Sequence, residues 1–247
     1  MTRKRSYRYD KVYALPQDEV YPFKFNEQVA DSFPDMALRS IPGYHIIQHM
    51  TEMFTARFFQ ANSYYYDLGC SLGATTIAIA RAIGKRNAKI IAIDNAPAMI
   101  QRARELASKG KLSANIDFIC ADIRDIRIKK AAVVAMNYTL QFIPPQQRQD
   151  LLTRIYRGLK PGGVLILSEK ISFENSNEQD FQSSHYYAFK EFNGYSKLEI
   201  SQKRTALDNV LIADTRATHL QRLNRAGFQT VHQWFQYFSF ISILAVK

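Results

Sequence analysis

Tyr64-Tyr65-Tyr66-Asp67-Leu68-Gly69-Cys70-Ser71-Leu72-Gly73-Ala74-Thr75-Thr76 is the stretch that decides the fold. A β-prone run ends on an acid, a glycine turn follows, and small residues open a helix. That order predicts a strand, a tight turn and a helix N-terminus. Gly69 and Gly73 have no side chain to keep a ligand off the backbone, so the N–H groups there can approach a nucleotide-like cofactor.

Outward from this turn, strands and helices alternate. Strand 63–68 leads to helix 73–83, strand Lys89–Asp94 to helix 97–109, then strand Ile116–Cys120. Strand Val133–Tyr138 precedes a helix from Pro145, and Pro161-Gly162-Gly163 turns into strand Val164–Ser168. Such alternation predicts a mostly parallel sheet covered on both faces. Residues 171–213 are polar and aromatic and are expected to form a helical insertion, or lid, over the ligand-binding edge. A helix over 214–226 stops at Gly227. Phe228–Tyr237 and Phe238–Val246 leave no room for a crossover helix, so they are expected to pair as an antiparallel hairpin. Upstream, residues 24–60 read as helical, with breaks at Phe33-Pro34-Asp35 and Pro42-Gly43. The expected fold is a Rossmann-like α/β methyltransferase fold: a seven-stranded, mostly parallel sheet ending in an antiparallel hairpin.

Bulk properties bound the rest. With 247 residues and 47% apolar content, the chain suits one α/β domain over 21–247, preceded by a basic, flexible arm over 1–20. No apolar run approaches the ~20 residues a membrane span needs, and no apolar segment follows the basic start as in a secretory signal. Cys70 and Cys120 lack metal-type spacing; free thiols in a cytoplasmic protein are the plain reading, and no metal is expected. The net charge of +11 favours anionic partners, but the charge is scattered and reads as a solvated basic surface that requires no direct nucleic-acid contact.

In open α/β sheets ligands bind beyond the carboxyl ends of the strands. Those ends present Gly69, Cys70 and Ser71, then Asp94-Asn95, then Asp122-Ile123, then Asn137. Asp94 lies 21 residues beyond Gly73, where a carboxylate can accept both ribose hydroxyls. Its plainer role would be a cap on the next helix. Asp122 stands where an adenine amino group would lie, or acts as a turn residue. Asn137 can face the amino-acid end of the ligand, and Cys70 fills space beside the turn. With the hairpin, these residues point to S-adenosyl-L-methionine.

Several segments carry a closer likeness. Val29–Met36, Arg39–Tyr44, Asp67–Ala74, Ile91–Asn95, Asp122–Ile126, Leu165–Lys170 and Gly194–Arg204 resemble the carboxy-S-adenosyl-L-methionine synthase family, from about residue 24 to the end. The segments around Tyr44 and Arg204 lie outside the shared methyltransferase fold and make the likeness specific. The resemblance implies a reaction of S-adenosyl-L-methionine with prephenate, giving carboxy-S-adenosyl-L-methionine, phenylpyruvate and water. It also implies a homodimer, a role in tRNA wobble uridine modification, and contact with the tRNA carboxymethyltransferase that uses the product.

The binding positions it implies are Tyr44, Gly69, Cys70, Ser71, Asp94, Asn95, Asp122, Ile123, Asn137 and Arg204, with Tyr44 and Arg204 nearest the chemistry. A guanidinium can fork onto a carboxylate, which suits Arg204 to the group the product gains. Arg39 and Tyr195 are weaker candidates for anion binding and lid packing. The chain departs from the family pattern in its longer, more basic arm and in Lys197, where the family often has an acid. Two other readings use the same residues: an RNA methyltransferase using S-adenosyl-L-methionine, and a non-enzymatic cofactor-binding partner in RNA modification.

Overall fold

A computed structural model describes residues 8–110 and 114–247. Two helices, α1 (Glu27–Ser40) and α2 (Tyr44–Arg57), lead into the alternating part: β1 (Ser63–Leu68), α3 (Ala74–Ile83), β2 (Ala88–Asp94), α4 (Pro97–Lys109), β3 (Asn115–Cys120) and β4 (Ala131–Asn137). A 3-10 turn at Leu140–Phe142 precedes α5 (Pro145–Gly158) and β5 (Leu159–Ser172). Helices α6 (Ser176–Phe192) and α7 (Lys197–Leu207) make up the insertion. The two-residue β6 (Asp214–Thr215), α8 (Arg216–Ala226), β7 (Thr230–Tyr237) and β8 (Phe240–Val246) complete the chain.

The sheet order is β3-β2-β1-β4-β5-β8-β7, with β6 pairing only with the end of β5. β1 to β5 run parallel, and β8 lies antiparallel between β5 and β7. The predicted hairpin and helical insertion are thus present. Strand periodicity explains the two cores, because successive side chains point to opposite faces. Tyr66, Leu68, Val134, Met136, Leu165 and Leu167 face one way, onto Leu151, Leu152 and Ile155 of α5 and Leu223 of α8. Tyr65, Val133, Ala135, Val164 and Ile166 face the other, onto Phe54 of α2 and Ile79 and Ile83 of α3.

Four expectations are corrected. α1 continues through Pro34; the ring costs one backbone hydrogen bond, while Val29, Ala30, Met36 and Ala37 are buried on either side of it. β5 starts at Leu159, before the Pro161-Gly162-Gly163 turn, because Leu159 pairs with Ala131 and Gly162 N–H donates to the Lys247 carbonyl. Asp214 and Thr215 belong to β6 and not to the following helix, where Thr215 is the N-cap. Finally, residues 8–20 of the expected flexible arm pack against the domain. Asp10 and Tyr13 are buried, Tyr195 Oη donates to Asp10 Oδ2 at 2.6 Å, and Gln202 Nε2 donates to the Tyr13 carbonyl at 2.9 Å. Residues 1–7 of that arm lie outside the described residues.

Candidate active site

The turn after β1 is held from three directions. Gly69 has φ +79°, and a Cβ there would meet Thr139 Oγ1 at 2.2 Å, so the position excludes any side chain. Gly69 and Cys70 both donate N–H to the Ile93 carbonyl, at 2.8 and 2.9 Å. Ser71 takes a left-handed conformation (φ 47°), and its N–H donates to Asp94 Oδ2 at 2.9 Å. The acid that opened the motif, Asp67, faces away from the ligand side. Buried, it accepts from Thr76 Oγ1 at 2.6 Å and so fixes the start of α3. Burial pushes its pKa up to about 7.

Asp94 Oδ1 also accepts the Ala96 N–H at 2.9 Å, so Asp94 caps the approach to α4 as well as bracing the turn. Burial raises its pKa against these N–H bonds. Asp122 is gripped by Arg124, whose Nε lies 2.9 and 3.0 Å from its two oxygens. That guanidinium holds the Asp122 carboxyl below the usual range. Asn137 is oriented by a short polar chain: Nδ2 donates to Thr75 Oγ1 at 3.1 Å, Thr75 Oγ1 donates to Gln48 Oε1 at 3.0 Å, and Ser168 Oγ donates to Asn137 Oδ1 at 2.7 Å. Glu169, buried at the end of β5, accepts N–H bonds from Thr139, Leu140 and Gln141 at 3.2, 2.8 and 3.0 Å. Burial lifts its pKa to about 8 against those three donors. Glu169 thereby fixes the loop that faces Gly69.

These ends enclose a cavity of about 260 Å³. Tyr44, Gly69, Cys70, Ser71, Asp94, Asn95, Asp122, Ile123 and Asn137 all line it. Arg204 does not. It is exposed on α7, one residue beyond Lys203, which does line the cavity; adjacent helical residues point about 100° apart. Burial lowers the Lys170 pKa, and Arg204 is near enough for its charge to lower it further. Tyr44, the first residue of α2, has its hydroxyl pKa raised by burial and by the Asp67 charge. Arg39 lies outside the cavity lining: its Nε donates to the Asn193 carbonyl at 2.7 Å, and its guanidinium lies between the Tyr9 and Tyr195 rings, 4.1 and 3.8 Å from their centroids. Tyr195 is buried and bonded to Asp10.

Of the lining residues to which the sequence reading gave no role, Tyr138, Lys170 and Lys203 bear most on the chemistry. Tyr138 follows Asn137 with φ 58°, and its buried hydroxyl has no hydrogen-bond partner. Lys170 and Lys203 bring positive charge to the cavity lining. The signal was a lysine ending the apolar run of β5 and another beside Arg204. Among the described residues, no group of three or more His, Cys, Asp or Glu side chains is placed to hold a metal ion, and no helix is long and apolar enough to cross a membrane. Cys70 and Cys120 are free thiols.

Comparison with known proteins agrees with this geometry. Residues 66–163 match the model of a methyltransferase domain family. The carboxy-S-adenosyl-L-methionine synthase of Geobacter sp. (strain M21) is 49% identical over 248 aligned positions, covering 100% of both chains. The chain belongs to the carboxy-S-adenosyl-L-methionine synthase family. The synthase relatives therefore align beyond the cofactor-binding core, through α1, α2, α6 and α7 as well. Among solved structures, a putative S-adenosyl-L-methionine-dependent methyltransferase from Methanococcus maripaludis aligns with a TM-score of 0.58 at 21% identity, over 94% of this chain and 97% of that one. A putative O-methyltransferase from Nostoc punctiforme aligns with a TM-score of 0.63 at 17% identity, over 90% of this chain and 59% of that one. At such identities these two likenesses speak for the fold alone.

Proposed function

We propose that the chain converts S-adenosyl-L-methionine and prephenate to carboxy-S-adenosyl-L-methionine, phenylpyruvate and water. The observation that carries this reading is the full-length kinship with synthases, including the segments around Tyr44 and Arg204. The orphaned Tyr138 hydroxyl and the residues at the strand ends fit a nucleoside-bearing sulfonium. Asp94 takes the ribose hydroxyls with the lone pairs its N–H partners leave free. Asp122 and Ile123 face the adenine, Asn137 the amino-acid end, and Gly69, Cys70, Ser71 and Asn95 the body of the ligand.

The chemistry asks little of protein bases. Prephenate loses CO2 and its ring hydroxide as the ring becomes aromatic. The hydroxide takes a proton from the methyl beside the sulfonium, and CO2 bonds to that carbon. Atoms and charge balance with water as the by-product. The two carboxylates lining the cavity, Asp94 and Asp122, are already engaged by N–H donors and by Arg124. What the chain must supply is a dry, fixed enclosure that keeps CO2 and the activated carbon from water. Phe25 packs edge-on against Phe23, Phe33 and Phe142, with ring centroids 5.0, 6.2 and 5.5 Å away, and makes an aromatic wall for it. Tyr44 orients the ligand, and Arg204 forks onto the carboxylate of the product from the rim. The enzyme works as a cytoplasmic homodimer, and its product serves the tRNA carboxymethyltransferase at the wobble uridine.

The test is to incubate the purified protein with S-adenosyl-L-methionine and prephenate, then seek by mass spectrometry a cofactor heavier by one CO2. Absence of that species, with transfer of labelled methyl to RNA, overturns the reading for an RNA methyltransferase. Arg204→Ala should weaken carboxy-S-adenosyl-L-methionine far more than S-adenosyl-L-methionine; equal losses place Arg204 elsewhere.

A further inference from the structure

Three lysines from separate elements gather around Tyr186, which lines the cavity: Lys170 at the end of β5 and Lys203 on α7 line it too, and Lys190 on α6 stands beside the Tyr186 ring without lining it. The Tyr186 ring organises the first two, with Lys170 Nζ 5.1 Å and Lys190 Nζ 5.0 Å from its centroid. Tyr186 Oη donates to the Ser40 carbonyl at 3.0 Å, and Lys203 Nζ donates to Ser40 Oγ at 3.2 Å, so the end of α1 closes the group. Lys190 and Lys203 are only 5% and 7% exposed.

The charges on this wall do not cancel. Arg39 is paired with Asp35 at 3.2 Å. Asp10 Oδ2 lies 4.0 Å from Lys203 Nζ and accepts from the Tyr195 hydroxyl. Among the described residues no carboxylate forms an ion pair with Lys170 or Lys190. Glu199, whose charge also reaches Lys203, is engaged in the capping box of α7. Asp10, whose charge reaches both Lys203 and Lys190, is one carboxylate against three ammonium groups, so two positive charges are left over around the half-buried Lys170 and the buried Lys190 and Lys203. Burying charge without a partner is costly. Burial and the neighbouring ammonium groups lower the Lys190 pKa to about 7, and burial brings Lys203 to about 8. Such a wall gains most from a ligand that arrives with two negative charges.

We infer that Lys170, Lys190 and Lys203, set around Tyr186, form the subsite for the second substrate and select a dicarboxylate dianion over a monoanion. The inference rests on the reading that the enzyme couples prephenate to S-adenosyl-L-methionine. It gives the two carboxylates of that substrate a place away from the ribose-facing Asp94 and apart from Arg204, which is assigned to the carboxylate of the product.

Calorimetric titration of prephenate into the protein saturated with S-adenosylhomocysteine, which has no methyl to react, tests the subsite without turnover. Wild type should bind prephenate at least tenfold tighter than the monoanion phenylpyruvate. Lys190→Met and Lys170→Met should each weaken prephenate at least tenfold and leave S-adenosylhomocysteine within twofold. Lys190→Met should melt no lower than wild type, since it removes an uncompensated buried charge; a purely structural lysine would give the opposite. Unchanged prephenate affinity in both variants, parallel loss of S-adenosylhomocysteine, or wild type binding phenylpyruvate as tightly as prephenate would overturn the inference. If both variants fail to fold, the wild-type comparison of dianion and monoanion still decides. Failure of the functional reading looks different: prephenate binds through the lysines, but no carboxylated cofactor forms.

Discussion

Asp94 Oδ2 accepts the Ser71 backbone N–H at 2.9 Å, so the acid ending β2 holds the turn that follows β1. A residue expected to face ligand is also what keeps the neighbouring loop in shape. With Oδ1 on Ala96 N–H, one carboxylate joins the start of α4 to the glycine turn. N–H bonds to an ionised acceptor are worth roughly 1.5–3 kcal/mol each, and here they offset part of the cost of burying the charge.

Asp94→Asn should therefore fail in two ways. Its amide can accept one of the two N–H groups but presents its NH2 to the other. Titration should show S-adenosyl-L-methionine affinity reduced by about tenfold or more, an energy of roughly 1.4 kcal/mol. The ligand-free melting temperature should fall as well. A variant that loses affinity but melts like wild type would show that the turn does not depend on Asp94.

Gly69→Ala should destabilise the fold by about 2–4 kcal/mol, combining the left-handed backbone with the contact to Thr139. Urea unfolding checks the size. Adding Thr139→Gly removes the contact but not the backbone strain, so the double variant should recover part of the loss. Strict additivity would mean that the two residues do not meet.

His219 should make stability sensitive to acid. It is buried, and neither ring nitrogen has a partner. Burial lowers its pKa from 6.5 to about 4. The unfolded chain then binds the extra proton between pH 6.5 and 4, so stability falls as pH drops through that window and is flat above it. The loss attributable to this residue should be about 1–3 kcal/mol. The stability difference between wild type and His219→Leu, from urea unfolding, should shift by that amount in favour of the variant between pH 7 and pH 5; the comparison cancels the opposite pH dependence of buried Asp67 and Glu169.

Arg148 is fully buried and donates to the carbonyls of Ile143, Gln141 and Ile212 at 2.8, 3.2 and 2.8 Å while pairing with Asp214. It ties the end of the helical insertion to the 3-10 turn beside the cavity. Arg148→Met should cost about 3–5 kcal/mol, because it takes a buried charge partner from Asp214 and the side-chain donor from the Ile143 carbonyl, while the Gln141 carbonyl keeps only the Ile212 N–H. Since Gln141 lines the cavity, substrate affinity should fall with stability, as titration and thermal melting on the same samples would show.

The fold was readable because its signals are local or nearly so. Short apolar runs bounded by turn residues and alternating with helices marked β1, β2, β4 and β5, and the short Phe228–Val246 segment could only be a hairpin. Where neighbours in space outvoted local preference, the reading slipped. Pro34 looks like a breaker until Val29 and Met36 are buried on either side of it. The strand-end residues of the candidate site were readable because sheet topology places them. The lysine wall was not: residues 170, 190 and 203 meet only because β5, α6 and α7 converge on Ser40 and Tyr186. Asp94 was legible as an acid at a strand end, but its bond to Ser71 depends on how two loops approach each other. Asp10 carried no local signal at all, since its partner Tyr195 lies 185 residues away.

That separation bears on how the molecule is made. A chain emerges from the ribosome N-terminus first, and contacts distant in sequence close late. The parallel strands up to β4 can begin to pair early, yet Asp10 must wait for Tyr195 and Lys203. The anion-facing wall is consequently among the last parts to form during synthesis. A nascent chain can hold a recognisable nucleotide fold well before it holds a chamber able to keep CO2 from water.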